Sequence, residues 1–302
     1  MSWPMVKLGD VCTINPRLPK NANPEQEVTF LAMAAVSEKG EISSQETRIL
    51  HETKKGFTYF ERGDVLLAKI TPCFENGKAT LTNNLNTQIG FGSTEFHVLR
   101  AFPDLILPEF IFYLVWNERF RIAAAKEMTG SAGQKRVSTD YLKEYKFYLP
   151  SIFEQEKIVA ALNKGYSIHR KRQQAIKLAD DFLRAKFLEM FGTPANNIHR
   201  FPTGKIRDLV DSVNYGTSAK ASIDSGEYPI LRMGNITYQG GWDFTDLKYL
   251  DLSVKEKDKF LVKEGDLLFN RTNSKELVGK TAVYEENRPM AFAGYLIRVR
   301  PN

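Results

Sequence analysis

The side chains best able to ligate a metal or attack an electrophile are few and far apart. His51, His97, His169 and His199 stand singly, and Cys12 and Cys73 form no Cys-x-x-Cys pair. None of these spacings suits a zinc site. Asn76-Gly77-Lys78-Ala79 lacks the first glycine and the Ser/Thr of a phosphate-cradling loop. Gly90-Phe91-Gly92 lacks the third glycine and the opening helix of a dinucleotide fingerprint. Carboxylates are plentiful, but no spaced pair among them suggests acid-base work. The sequence therefore assigns no catalytic residue, no cofactor-binding residue and no metal ligand.

What remains is the chemistry of binding. Thr71-Pro72-Cys73-Phe74 lacks the Asn or Asp and the second proline of the Asn-Pro-Pro-Tyr motif with which adenine methyltransferases hold their target. Polar and cationic side chains instead gather on segments that read as loops. Lys69 and Thr71 follow an apolar strand. Ser131, Gln134, Lys135 and Arg136 lie in a loop that opens on Gly130. Lys220, Arg232, Arg271 and Asn273 occupy comparable places later in the chain. The cations among these ten candidate binding residues suit an anionic partner. The net charge of +6 leans the same way, toward a polyanionic partner.

The elements that carry these residues occur twice. Trp3-Pro4 … Lys7-Leu8-Gly9-Asp10 resembles Phe201-Pro202 … Lys205-Ile206-Arg207-Asp208, and Leu31-Ala32-Met33 resembles Leu231-Arg232-Met233. Gly63-Asp64-Val65-Leu66-Leu67-Ala68-Lys69 resembles Gly265-Asp266-Leu267-Leu268-Phe269-Asn270-Arg271, and Gly77-Lys78 resembles Gly279-Lys280. The offset drifts only from 198 to 202, as changes in loop length would cause. Two copies of one domain are implied. The second ends near the counterpart of Arg100, so nothing in it matches the segment from Pro108 to Met190.

Each copy opens with short strands, among them Val65–Ile70, Lys78–Leu81 and Glu95–Arg100 in the first. Pro108–Lys126 reads as one helix with Phe112, Val115, Trp116 and Phe120 on its apolar face. Tyr145–Leu149 reads as a strand. Glu154–Met190 then gives the longest helical signal, without proline, and closes at Gly192 and Pro194. Ile158, Leu162, Ile176, Ala179, Leu183 and Met190 lie on one seam at heptad spacing, which calls for a partner helix. The fold class is α+β: a globular copy over 1–150, a long coiled-coil-type helix over 151–192, a linker over 193–202, and an incomplete second copy over 203–302. No apolar run marks a signal peptide or a membrane span, and two cysteines suit a reducing cytoplasm.

Tyr148-Leu149-Pro150 … Glu154-Gln155 … Ile158 resembles the strand-to-helix junction of Type I restriction-modification specificity subunits. Gly130-Ser131 … Gln134-Lys135-Arg136 … Leu142 resembles the loop before it, and Gly63–Lys69 with Gly77-Lys78 is similar to that family's strand signature. The resemblance implies two target-recognition domains held apart by antiparallel helices, each reading half of a split site in double-stranded DNA. It makes the ten loop residues above the candidate DNA contacts, with Lys and Arg for phosphates and Asn, Gln, Arg and Ser for base edges. The helices would dock two methyltransferase subunits, which would bind S-adenosylmethionine. A motor-nuclease subunit would complete the enzyme. Pairing of two copies through the 154–190 helix would replace a missing second helix. Other readings stay open from the residues alone: a helical scaffold that does not read DNA, an inactive fragment of a specificity subunit, or a single-chain methyltransferase or nuclease.

Overall fold

The structure is a computed structural model and describes residues 3–131, 133–193, 195–272 and 275–302. The chain divides into two compact units, Met1–Ala185 and Lys186–Asn302. Helices and strands are mixed in an α+β fold.

The first unit begins with strands β1 (Met5–Lys7), β2 (Cys12–Ile14), β3 (Glu27–Leu31) and β4 (Glu46–Ile49), then the single-turn helix α1 (Leu50–Thr53). Strands β5 (Thr58–Glu61), β6 (Val65–Ala68), β7 (Ala79–Leu81), β8 (Ile89–Gly92) and β9 (Phe96–Ala101) follow. They form two four-stranded sheets, ordered β2-β9-β6-β7 and β4-β3-β8-β5. Helices α2 (Pro108–Trp116), α3 (Glu118–Lys126) and α4 (Thr139–Glu144) cover the first sheet, and β10 (Lys146–Tyr148) returns to pair antiparallel with β1. Strand β6 shows why its apolar run is unbroken. Val65 and Leu67 pack toward the helices, while Leu66 and Ala68 pack with Leu31, Phe60 and Phe96. A strand buried on both faces has no polar alternation to display.

The stretch 108–126 departs from the single helix its periodicity predicts. Asn117 has extended backbone (φ −61°, ψ 135°), and its side chain accepts from the Arg119 amide at 2.8 Å. An asparagine caps a helix start better than it continues one, so one amphipathic run becomes α2 and α3.

Helix α5 (Ile152–Phe191) is a single element of 40 residues, roughly 60 Å at 1.5 Å per residue. Ser151 and Glu154 start it with reciprocal bonds: the Ser151 amide donates to Glu154 at 2.9 Å and the Glu154 amide donates to Ser151 Oγ at 3.4 Å. Gln155 is fully buried beside them. Its amide group donates to the carbonyls of Leu105 and Pro150 at 3.0 and 2.9 Å, and its oxygen accepts from the Leu107 amide at 2.8 Å. The Pro-x-x-x-Glu-Gln pattern is thus a clamp that fixes where α5 starts against the rest of the first unit.

The second unit repeats the plan with β11 (Val210–Tyr215), β12 (Tyr228–Leu231), β13 (Lys248–Leu250), α6 (Val254–Phe260), β14 (Leu267–Asn270), β15 (Thr281–Val283), β16 (Ala291–Phe292) and β17 (Leu296–Pro301). Its sheets are ordered β11-β17-β14-β15 and β13-β12-β16, matching β2-β9-β6-β7 and β4-β3-β8. The register repeats as well: Val65 faces Leu99 as Leu267 faces Val299, and β3–β8 and β12–β16 are both parallel. The same aspartate anchors both copies. Asp64 takes the Glu61 amide at 2.7 Å and the Arg100 guanidinium through two bonds of 2.8 Å. Asp266 takes the Lys263 amide at 2.8 Å and Arg300 through two bonds of 2.7 Å.

The copies differ in what lies over the first sheet. Leu8 and Val11 are 0% and 3% exposed beneath the helices, whereas Ile206 and Leu209, their counterparts, are 75% and 67% exposed. Among the described residues, no helical layer covers that face of the second unit.

Four substitutions test this packing. Leu8→Ala should destabilise the first unit by about 3 kcal/mol through the cavity it leaves. Ile206→Ala should shift the second unit by less than about 0.5 kcal/mol, as at an exposed site; urea unfolding of each variant checks both. Asp266→Ala strands a guanidinium and a turn amide and should cost about 3 kcal/mol. Asp64→Ala should cost less in the same assay, because Arg100 keeps a second carboxylate, Glu61, at 3.2 Å.

Candidate nucleic-acid interface

In the first unit the fold brings together two segments that are far apart in the chain. Lys69 leaves the end of β6, its amide donating to the Glu95 carbonyl at 2.8 Å while its own carbonyl accepts from Val137 at 2.9 Å. The Thr71 amide donates to the Lys135 carbonyl at 3.0 Å, and Ile70 bridges Arg136. The Gly130 loop is thereby laid along the end of the signature strand. Gly130 itself has φ +127°, and a Cβ there would sit 2.8 Å from the Gln134 carbonyl; only glycine closes this turn.

The six candidates of this unit divide by what already holds them. Ser131, Gln134 and Lys135 are exposed, and Lys69 is half-buried. Thr71 donates its hydroxyl to Glu75 at 2.9 Å. Arg136 is committed within the fold: its guanidinium makes two bonds to Glu95, of 2.9 and 2.8 Å, and a third to the Gln134 carbonyl at 3.0 Å. That pairing holds the Glu95 carboxyl below the usual carboxylate range, with Lys69 adding to the effect. The Arg136 side chain therefore stiffens the loop.

His97 supports the same segment from beneath. It is 3% exposed, with Nε2 2.8 Å from the Val137 carbonyl and Nδ1 3.2 Å from the Asn15 side-chain amide. Those neighbours assign the neutral tautomer, Nε2–H donating and Nδ1 accepting. Burial lowers its pKa. Nothing in the sequence around His97 distinguishes it from a surface histidine, as the unpatterned spacing of the four suggests. Its partner Asn15 adopts the left-handed conformation at φ 55°, which asparagine tolerates better than most residues.

In the second unit Arg271 leaves the end of β14 as Lys69 leaves β6. Its guanidinium lies over the Tyr215 ring, 4.6 Å from the centroid, and donates to the Gly294 carbonyl at 3.3 Å. Arg232 follows β12 and binds Asp246 through both its carbonyl, at 2.8 Å, and its carboxylate, at 2.7 Å. Both arginines line one depression of about 550 Å³. Lys220 is exposed on the loop between β11 and β12. Asn273 lies outside the described residues.

Helix α5 packs on the rest of the first unit through a stripe next to the heptad seam. Gln155 and Val159 are buried, Asn163 accepts from the Tyr113 hydroxyl at 2.6 Å, Tyr166 donates to the Lys39 carbonyl at 2.8 Å, and Arg170 pairs with Glu41 at 3.3 Å. On the seam, Ile158 is half-buried and Leu162 is exposed. From residue 171 to 191 every position is exposed, including Ile176 at 63%, Leu183 at 65% and Met190 at 58%, with Ala179 between them. No helix among the described residues is long and apolar enough to cross a membrane.

Residues 2–178 match the family model of the Type I restriction modification DNA specificity domain. The chain belongs to that family. Among curated specificity-domain proteins it is 31% identical to the Type I restriction enzyme EcoAI specificity subunit of Escherichia coli over 273 residues, which are 88% of this chain and 46% of that one. It is 32% identical to the EcoEI specificity subunit of the same organism, over 88% of this chain and 45% of that one. The chain spans about half the length of the curated relatives it matches. Among solved structures, a chain from work on assembly and conformational transition of the type I R-M system covers 100% of it at 22% identity, with a TM-score of 0.57 and 76% of that chain matched. The type I S subunit from M. genitalium covers 99% at 13% identity, with a TM-score of 0.51 and 72% of that chain matched. These likenesses are of fold.

The His97 environment sets a pH dependence. The unfolded imidazole takes up a proton near pH 6.5, whereas the buried one resists until lower pH. Unfolding therefore releases a site that binds more protons, and stability declines as pH falls below that range. The thermal midpoint of the first unit should drop between neutral and mildly acidic pH. His97→Gln should lower the neutral-pH midpoint but flatten that drop, as scanning calorimetry across a pH series would register.

Proposed function

We propose that this chain is the DNA-reading component of a Type I restriction-modification complex and has no catalytic centre of its own. Its two units read the halves of a split site in double-stranded DNA. In the first unit, Ser131, Gln134, Lys135, Lys69 and Thr71 form the contact surface. In the second, Arg271, Arg232, Lys220 and Asn273 do so. The observation that carries this reading is the alignment of the Gly130 loop with the end of β6, which gathers dispersed polar and cationic side chains onto one rigid edge. Rigid placement matters because each base-edge contact tolerates little positional error.

Adenine methylation and cleavage belong, in this reading, to partner subunits: methyltransferase subunits that bind S-adenosylmethionine, and a motor-nuclease subunit. The exposed apolar seam of α5, at Ile176, Ala179, Leu183 and Met190, is where a second helix packs antiparallel. A second copy of this chain is one source of that helix, giving a two-fold dimer.

Co-purification with an adenine methyltransferase, and methylome sequencing of the host with the gene present and deleted, test the proposal. Deletion should abolish one split, adenine-methylated motif. DNA binding by the reconstituted complex should weaken steeply with salt. An unchanged methylome, together with no gel shift at low salt in the presence of the methyltransferase, would leave α5 as a scaffold and end the DNA-reading proposal.

A further inference from the structure

The second unit carries a group of cations that the first does not. Arg232 from the turn after β12, Lys248 from the start of β13 and Arg271 from the end of β14 line the same depression of about 550 Å³. Its wall also holds the hydroxyl-bearing Thr217 and Ser218, and no carboxylate is among its described lining residues. Crowding three positive charges in one concavity is unfavourable unless an anion is received there. Two of the three are partly compensated, Arg232 by Asp246 at 2.7 Å and Arg271 by the Tyr215 ring.

Register shows that the cluster is no consequence of the shared fold. Lys248 faces Ile230 across the β12–β13 ladder as Glu46 faces Phe30 across β3–β4. Arg232 follows Leu231 where Ala32 follows Leu31, and only Arg271 keeps a cation opposite its counterpart, Lys69. An alanine and a glutamate thus become an arginine and a lysine.

We propose that this depression is a phosphate-binding cradle, and, resting on the function proposed above, that its ligand is the backbone of duplex DNA. The two units then hold DNA unequally. The second supplies more of the sequence-independent grip, while the first presents the polar Gly130 loop. Cationic contacts to phosphate position a protein on its duplex without reading bases.

The test uses the full chain and the double variant Lys248→Gln/Arg271→Gln; Arg232 is spared because it braces the Asp246 segment. Lys255→Gln/Lys263→Gln, which removes equal charge at exposed positions outside the cradle, is the control. Binding of a mixed-sequence duplex is followed by fluorescence anisotropy over a salt series. Loss of two phosphate contacts should reduce the slope of log K against log salt by about 2 and weaken low-salt binding roughly tenfold or more. A slope matching the control overturns the cradle. A second arm measures the thermal shift given by inorganic tripolyphosphate. Stabilisation of wild type that is lost in the cradle variant supports the cradle, and no stabilisation of wild type overturns it. A tripolyphosphate response without duplex binding upholds the cradle while rejecting the DNA-reading function.

Discussion

The architecture of both units depends on one buried carboxylate. Asp64 and Asp266 are 2% and 1% exposed, and each closes the turn into the signature strand while gripping an arginine from the last strand of its sheet. A buried carboxylate is costly unless its oxygens are met by donors. Here a backbone amide and a forked guanidinium meet them, so the turn, the signature strand and the closing strand are specified together. The end of that strand, from which Lys69 and Arg271 emerge, is placed as a result. Only glycine before the aspartate keeps this turn: Gly63 and Gly265 have φ of +95° and +87°.

From that anchor the first unit extends outward in layers. Strand β6 is sealed by helices on one face and by the second sheet on the other. Its end therefore cannot shift without disturbing two cores, and the Gly130 loop bonded to it inherits that rigidity. Arg136 and His97 work to the same end, one by pairing with Glu95 and the other by holding the Val137 carbonyl. Gln155 does for α5 what Asp64 does for the sheet, satisfying three backbone groups with one buried amide side chain. Fixed loops on a braced scaffold are what a specificity domain requires, because selectivity among DNA sequences rests on hydrogen-bond geometry.

The units share topology and register but differ at loops and strand ends. The helical layer over the first unit buries Leu8 and Val11, and its absence over the described second unit leaves Ile206 and Leu209 in solvent. Charge differs as well, since Arg232 and Lys248 of the second unit stand where the first has Ala32 and Glu46. Duplication supplied a common frame, and the loops and strand ends changed because they bear little of the core.

The sequence by itself determined the duplication, the α+β character, the long helix and the family, because these are written in local pattern: ordered repeats, apolar periodicity, and Gly-Asp and Glu-Gln motifs. It also marked the loops from which the candidate residues emerge. Carrying the repeat on from Lys78 and Lys280 to Arg100 and Arg300 would have aligned those arginines, but only the fold shows that each grips its aspartate. Tertiary structure alone decided which side chains are available. Arg136 reads as a free cation until Glu95, 41 positions away, is seen beside it. Asn117 reads as helix interior until its cap forms, and Lys248 belongs to no motif until strand pairing sets it beside Arg232 and Arg271. The physical reason is range. Periodicity and capping act within a few residues, whereas ion pairing and convergent charge depend on distances that only the folded chain defines.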